Sequence, residues 1–162
     1  MSLHPFSAED LAALRLAAQQ SPRRRAHREL HADGSSALVQ QFLVGVVQGS
    51  YFRAHCHRQA HKTELTVALH GCCEVLQFND AGVLLDRQRL GEGGVGCVQI
   101  PPQTWHAIAA IDDFAVFLEV KQGPYEAATD KCFADWAPLE GTPAAEACER
   151  WLREGAIGSR FE

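Results

Sequence analysis

Two histidines one residue apart, His55-Cys56-His57, are the pair best placed for chemistry in this sequence. In a strand, residues two apart share a face, so both imidazoles would project the same way with the Cys56 thiol opposite. Two neutral imidazoles on one rigid strand are half of a metal site, although such pairs also occur on solvated strands. Glu64 begins the next β-rich run and His106 a later one, so three strand segments could bring four donors to one point. Imidazole with carboxylate suits iron, manganese, nickel, copper or zinc at ligand distances of about 2.0–2.2 Å. One divalent ion is expected, and the donor types do not distinguish among those five metals. His61, in the loop before Glu64, is an alternative fourth donor.

Strand parity extends the candidate site. Tyr51 and Arg53 would share a face with the two histidines, and an inward arginine is costly unless it is paired or faces a polar cavity. Arg53 is therefore a candidate for substrate recognition, with a structural pairing to Glu119 as the other reading. Phe117, Glu119 and Lys121 alternate with Val116, Leu118 and Val120. The aliphatic set suits packing between layers, and the mixed set suits a cavity wall. Lys121 and Tyr125 bracket a Gly-Pro turn and could reach a ligand or simply anchor the rim. Arg23, Arg24, Arg25 and Arg28, with His27 and His31, form a basic segment that is either a solvated run or a place for an anionic ligand. Arg25 and His31 join Tyr51, Arg53, Lys121 and Tyr125 as candidate substrate-binding residues.

The elements that must position these groups follow from local pattern. Ser7-Ala-Glu-Asp10 has the form of a capping box, and the helix it opens should run to about Gln20, ended by Ser21-Pro22. From about Leu38 to Lys121 the texture is short β-rich runs between turn residues, the pattern of a sandwich or barrel. Strands are expected at 38–47, 50–57, 64–70, 73–78, 83–90, 98–100, 105–111 and 114–121. Thr142-Pro143 reads as an N-cap with proline at the first helical position, opening a short helix over 144–153. One structural domain is expected. Residues 1–36 would be a helix and basic segment packed on the barrel, 37–123 the barrel, and 124–162 an extension with a short helix.

Composition narrows the function classes. The 162 residues are 46% hydrophobic and 22% charged, as in ordinary globular domains. No apolar stretch approaches the roughly 20 residues of a membrane helix, and no leader with a cleavage site is visible, so a cytoplasmic location without membrane insertion is expected. A formal net charge of −5 argues against a general nucleic-acid binder. The six cysteines contain no C-x-x-C pair and read as reduced thiols.

Gly49, His55-x-His57, Glu64 and Gly71 resemble the first cupin motif, with a longer spacer before the glutamate. Pro101-Pro-Gln-Thr-Trp-His106 resembles the second, with Gln103 where that motif has glycine. Further segments, among them Ser21-Pro-Arg-Arg-Arg25, Glu119-Val-Lys-x-Gly-Pro-Tyr125 and Lys131-x-Phe-Ala-x-Trp-Ala-Pro138, make residues 21 to 140 similar to the WbuC-type cupin-fold metalloproteins. The resemblance implies a mainly β fold, a cupin jelly-roll barrel (double-stranded β-helix) with N- and C-terminal helices. It also implies metal ligation by His55, His57, Glu64 and His106. The implied setting is bacterial surface-polysaccharide synthesis of the O-antigen kind, with a sugar or nucleotide-sugar intermediate as ligand. Three functions stay open: a metal-dependent isomerase, epimerase or hydrolase, an iron(II) oxygenase, and a non-catalytic module that grips a small polar or anionic molecule through the metal. Cupins commonly pair through their sheets, and a homodimer is expected.

Overall fold

The computed structural model describes residues 3 and 5–162. Its described residues form ten strands and two α-helices, in the order α1 (Ala8–Gln20), β1 (Arg25–Glu29), β2 (Val39–Val47), β3 (His55–Cys56), β4 (Glu64–His70), β5 (Cys73–Phe78), β6 (Leu84–Leu90), β7 (Cys97–Ile100), β8 (Trp105–Ala110), β9 (Phe114–Gln122), β10 (Cys132–Phe133) and α2 (Pro143–Glu154). The strands pair into two five-stranded sheets, β1-β2-β9-β4-β7 and β10-β3-β8-β5-β6. All the strand pairings are antiparallel.

Period-2 alternation sorts the side chains into layers. On β2 and β9, Val44, Val46 and Phe117 face inward, where they meet Val75 and Ile108 of the opposite sheet. The alternate set, Leu43, Val116 and Leu118, faces outward onto Leu14 and Ala18 of α1. The helix lies close because β2 carries Gly45, where a Cβ would press into the Leu14 side chain. On the other side, Leu76, Ala107 and Ala109 pack outward against Cys148 and Leu152 of α2. The result is a helix, two facing sheets and a second helix, with the inter-sheet space closed by apolar residues at one end.

Both helices begin as their sequences require. Ser7 accepts from the Asp10 amide while the Asp10 carboxylate accepts from the Ser7 amide, a complete capping box. Thr142 caps α2 through the Ala145 amide, with Pro143 at the first position.

Two expectations about the strands are corrected. No strand was expected before residue 38, yet the basic segment contributes one: Arg25–Glu29 pairs with β2 from Arg25↔Val46 to Glu29↔Phe42. Its polar composition suits an edge strand with one solvated face. The strand expected over 50–57 is reduced to His55–Cys56. Side chains and loops hold the backbone before it: Arg25 donates to the Tyr51 carbonyl at 2.8 Å, and the Ala134 amide donates to the Ala54 carbonyl at 2.9 Å.

Candidate metal centre

The open end of the inter-sheet space is lined with polar groups. His55 on β3 lies directly opposite His106 on β8, and His57 follows one residue after β3. Glu64 opens β4 in the other sheet, in register with Lys121 of β9. The rings of His55 and His106 are 4.4 Å apart, centroid to centroid, and both stand within 6 Å of His57. One ligand atom from each of the three histidines lies within 4.8 Å of the other two. All three, and Glu64, are buried.

The backbone fixes how the rings point. His55 Nδ1 is 3.0 Å from the Arg53 carbonyl, His106 Nδ1 is 2.8 Å from the Thr104 carbonyl, and His57 Nδ1 contacts the Asp130 carbonyl. A carbonyl oxygen only accepts, so each Nδ1 carries the proton and each Nε2 keeps its lone pair. His106 Nε2 is buried and has no hydrogen-bond partner. His57 Nε2 is 3.0 Å from Glu64 Oε2, and His106 Nε2 is 4.0 Å from the same oxygen. Lone pairs meeting a carboxylate oxygen in a buried space need a cation between them. Burial pushes the His55 and His106 pKa values below the usual imidazole range, for His106 against the pull of Glu64, which favours the neutral, ligating form. Burial alone would raise the Glu64 pKa; it is lowered by whatever positive charge, a proton or a cation, stands between Oε2 and His57 Nε2, with the charge of Lys131 acting the same way. The donor set therefore fits a divalent ion: three oriented imidazoles and an ionised carboxylate. The group of mutually close ligand atoms is His55, His57 and His106; Glu64 adjoins it through its 3.0 Å contact with His57, and His61 is exposed in the loop before Glu64.

Beside the donors lies a second polar cluster. Asp130 is shared by two buried lysines, Lys62 at 3.3 Å and Lys121 at 3.2 Å, and Lys121 also pairs with Glu119 at 3.4 Å. Burial, with the charge of Glu64, raises the Glu119 pKa. Glu119, Lys121 and Asp130 form one wall of a cavity of about 480 Å³, whose other residues include His31, Tyr125 and Lys131. Three residues given site roles by the sequence, His31, Lys121 and Tyr125, thus share one cavity.

The other three do not. Arg25 is buried in a separate groove, its guanidinium 4.4 Å from the Phe52 ring and 2.7 Å from Glu140. Tyr51 lines the same groove and donates its hydroxyl to the Pro138 carbonyl. Arg53 is not paired with Glu119. It donates to the carbonyls of Ala137 and Ala134 and lies over the Phe133 ring. The parity that would have turned Tyr51 and Arg53 inward fails because the strand carrying them begins only at His55. Asp130, Lys62 and Lys131 were missed. Lys62 and Asp130 are loop residues with no periodic signature, recognisable only once the fold brings them together.

A family model described as a domain of unknown function, DUF6016, matches residues 6–90. No curated protein matches the sequence. Among solved structures, an oxalate oxidase in complex with glycolate aligns with a TM-score of 0.56 at 16% identity, over 85% of this chain and 77% of that one. KdgF from Halomonas sp. aligns with 0.51 at 14%, over 67% and 86%. A variant of the B. subtilis oxalate decarboxylase aligns with 0.52 at 19%, over 79% of this chain and 32% of its own. Identities this low speak for the fold alone, and that fold is the cupin jelly roll. No helix among the described residues is long and apolar enough to cross a membrane.

Proposed function

Because this chain belongs to the DUF6016 family, a domain of unknown function, we propose its role from its own side chains: a metal-dependent cupin that binds or transforms a small anionic molecule. His55, His57, Glu64 and His106 would hold one divalent ion. The observation that carries this reading is the convergence of Nε2 lone pairs, each oriented by a backbone acceptor on the far side of its ring, with His106 Nε2 buried and unpartnered. Such an ion supplies Lewis acidity, polarising a ligand oxygen or activating a water.

The chain's own groups would do the remaining work. The carbonyls of Arg53, Thr104 and Asp130 keep the imidazoles in one tautomer. Lys121, held between Glu119 and Asp130, puts a fixed positive charge on the cavity wall. Glu119, with its pKa raised by burial, is placed to hold a proton there. His31 and Tyr125 complete the cavity and restrict the shape of what enters.

The motifs shared with WbuC-type cupins support a sugar or nucleotide-sugar intermediate of surface-polysaccharide synthesis as the ligand. The glycolate held by a fold neighbour supports a small oxygen-rich acid more generally. Elemental analysis of untagged protein, repeated on His106→Ala, tests the centre. About one equivalent of a transition metal or zinc is expected in the parent and a small fraction of that in the variant. Metal-free parent protein that also fails to take up manganese, iron, cobalt or zinc on addition would overturn the reading.

A further inference from the structure

Among the described residues, Cys56 of β3 and Cys132 of β10 are the one pair of cysteines directly opposite each other on neighbouring strands, and both are free thiols. The same register continues past β10, where the Ala134 amide donates to the Ala54 carbonyl at 2.9 Å. Opposed residues of an antiparallel ladder alternate between hydrogen-bonded and open pairs, so Cys56 and Cys132, two positions along from that bond, form a hydrogen-bonded pair. The Cα atoms of such a pair stand about 5.5 Å apart, inside the range of about 4.4–6.8 Å that a disulfide spans. In the adjoining pair the His55 and Phe133 rings meet at 6.1 Å on one face of the sheet, so both cysteine side chains leave by the other face.

The two thiols differ in access. Cys56 is 4% exposed, whereas Cys132 is half-buried on a strand at the edge of its sheet. A reachable thiol backed by a sheltered one is the arrangement in which the first meets an oxidant and the second resolves the product.

We propose that Cys56 and Cys132 are a redox-active pair, a modification site that closes to a disulfide by exchange with a small-molecule disulfide of the glutathione type. The Cys132 thiolate attacks one sulfur of the oxidant, forming a mixed disulfide and releasing one thiolate. The Cys56 sulfur then attacks Sγ of Cys132 and releases the second. Two protein thiols are oxidised, one external disulfide is reduced to two thiols, and the two protons pass to the released thiolates. The bond would fasten β10, and the segment before it that carries Asp130, to the strand that carries His55. The Asp130 carbonyl contacts His57 Nδ1, so oxidation makes that acceptor harder to displace. The inference concerns the thiols and stands whether or not the centre holds a metal.

Peptide mapping provides the test. Purified protein is equilibrated with excess oxidised glutathione, its remaining thiols are alkylated under denaturing conditions, and the tryptic peptides are read by mass spectrometry. Cleavage after Arg53, Arg58 and Lys131 should yield peptide 54–58 joined to the peptide beginning at Cys132, with Cys148 in the latter alkylated. Dithiothreitol should abolish the link. In Cys56→Ser the intermediate should be trapped as a glutathione adduct on Cys132. The linked parent should melt about 5–10 °C above the reduced parent, with no such rise in Cys132→Ser. Absence of the joined peptide, or a glutathione adduct that persists on Cys132 in the parent, would overturn the proposal. A linked protein whose melting point does not rise would overturn the fastening of β10.

Discussion

Asp130→Asn is the substitution with the most to reveal, because one carboxylate holds two buried lysines and its own backbone carbonyl holds His57, a proposed metal donor. Asp130, Lys62 and Lys121 are 2%, 2% and 6% exposed. Asparagine keeps the shape but removes the charge. Removing one partner from a buried ion pair costs about 3–5 kcal/mol, because the other charge is left behind. Here Lys121 retains Glu119 at 3.4 Å and Lys62 retains the Pro124 carbonyl at 2.9 Å, so the lower end, about 3 kcal/mol, is expected. For a chain of this size that corresponds to a fall in Tm of about 6–12 °C. Loosening residue 130 also frees the acceptor of His57 Nδ1, and loss of such support weakens metal binding by about 10–100-fold. Equilibrium urea unfolding of the metal-free protein reads the first effect, and competition with a chromophoric chelator the second. If stranded charge is the cause, Lys62→Met should cost less in the Asp130→Asn background than in the parent. A stability change below about 0.5 kcal/mol, or strictly additive costs in the double variant, would refute this account.

Two further predictions concern the scaffold. Glu140 ties Arg23 and Arg25 of the N-terminal part to the segment before α2. Burial would raise its pKa, but the Arg23 hydrogen bond and the Arg25 charge lower it below the usual value of 4.5, while desolvation pushes Arg25 down despite its partner. Burial thus costs Arg25 much of what the pair returns, and removing Glu140 leaves that cost exposed. Glu140→Gln should lose about 2 kcal/mol near neutral pH. Since the folded pKa is depressed, the contribution is complete above pH 4.5 and fades as pH falls through the folded value. Urea midpoints of parent and variant should therefore converge in acid; a gap independent of pH would contradict the ion-pair account. Gly71→Ala places a Cβ at a φ of +62° and against the Phe114 carbonyl oxygen. A loss of about 2–4 kcal/mol is expected by thermal or urea unfolding, and a neutral result would show that the β4–β5 turn can rearrange.

The sequence disclosed what regular structure repeats and little of what irregular chain brings in. The convergence of His55, His57 and His106, with Glu64 against His57, was legible because each lies on or next to a strand, where side-chain direction follows from spacing. The aliphatic alternation of Val116 and Leu118 correctly placed a packing layer, now seen to be α1. The same parity rule misled at Tyr51 and Arg53, where the chain is not yet a strand and backbone acceptors from residues 134–138 capture the side chains. Arg25–Glu29 was hidden because an edge strand with one solvated face needs no hydrophobic pattern. Asp130 could not be read at all, since its partners are Lys62, 68 residues away, and Lys121, which meet it only in the folded barrel.

The three acceptors that orient the histidines are main-chain carbonyls, and that shapes how the protein can change over generations. Every amino acid supplies a carbonyl, so no single replacement at 53, 104 or 130 deletes the acceptor itself. Side chains at 53 and 104 can drift while their imidazoles keep their tautomer; at 130 the carboxylate also anchors the loop that carries the carbonyl. A one-residue insertion or deletion in the loop before His106, or between Gln122 and Cys132, would instead shift the acceptor out of reach at once. The heritable specification of this centre lies as much in loop length as in the histidines, and lineages that lose it should more readily do so by indels than by substitution of its neighbours.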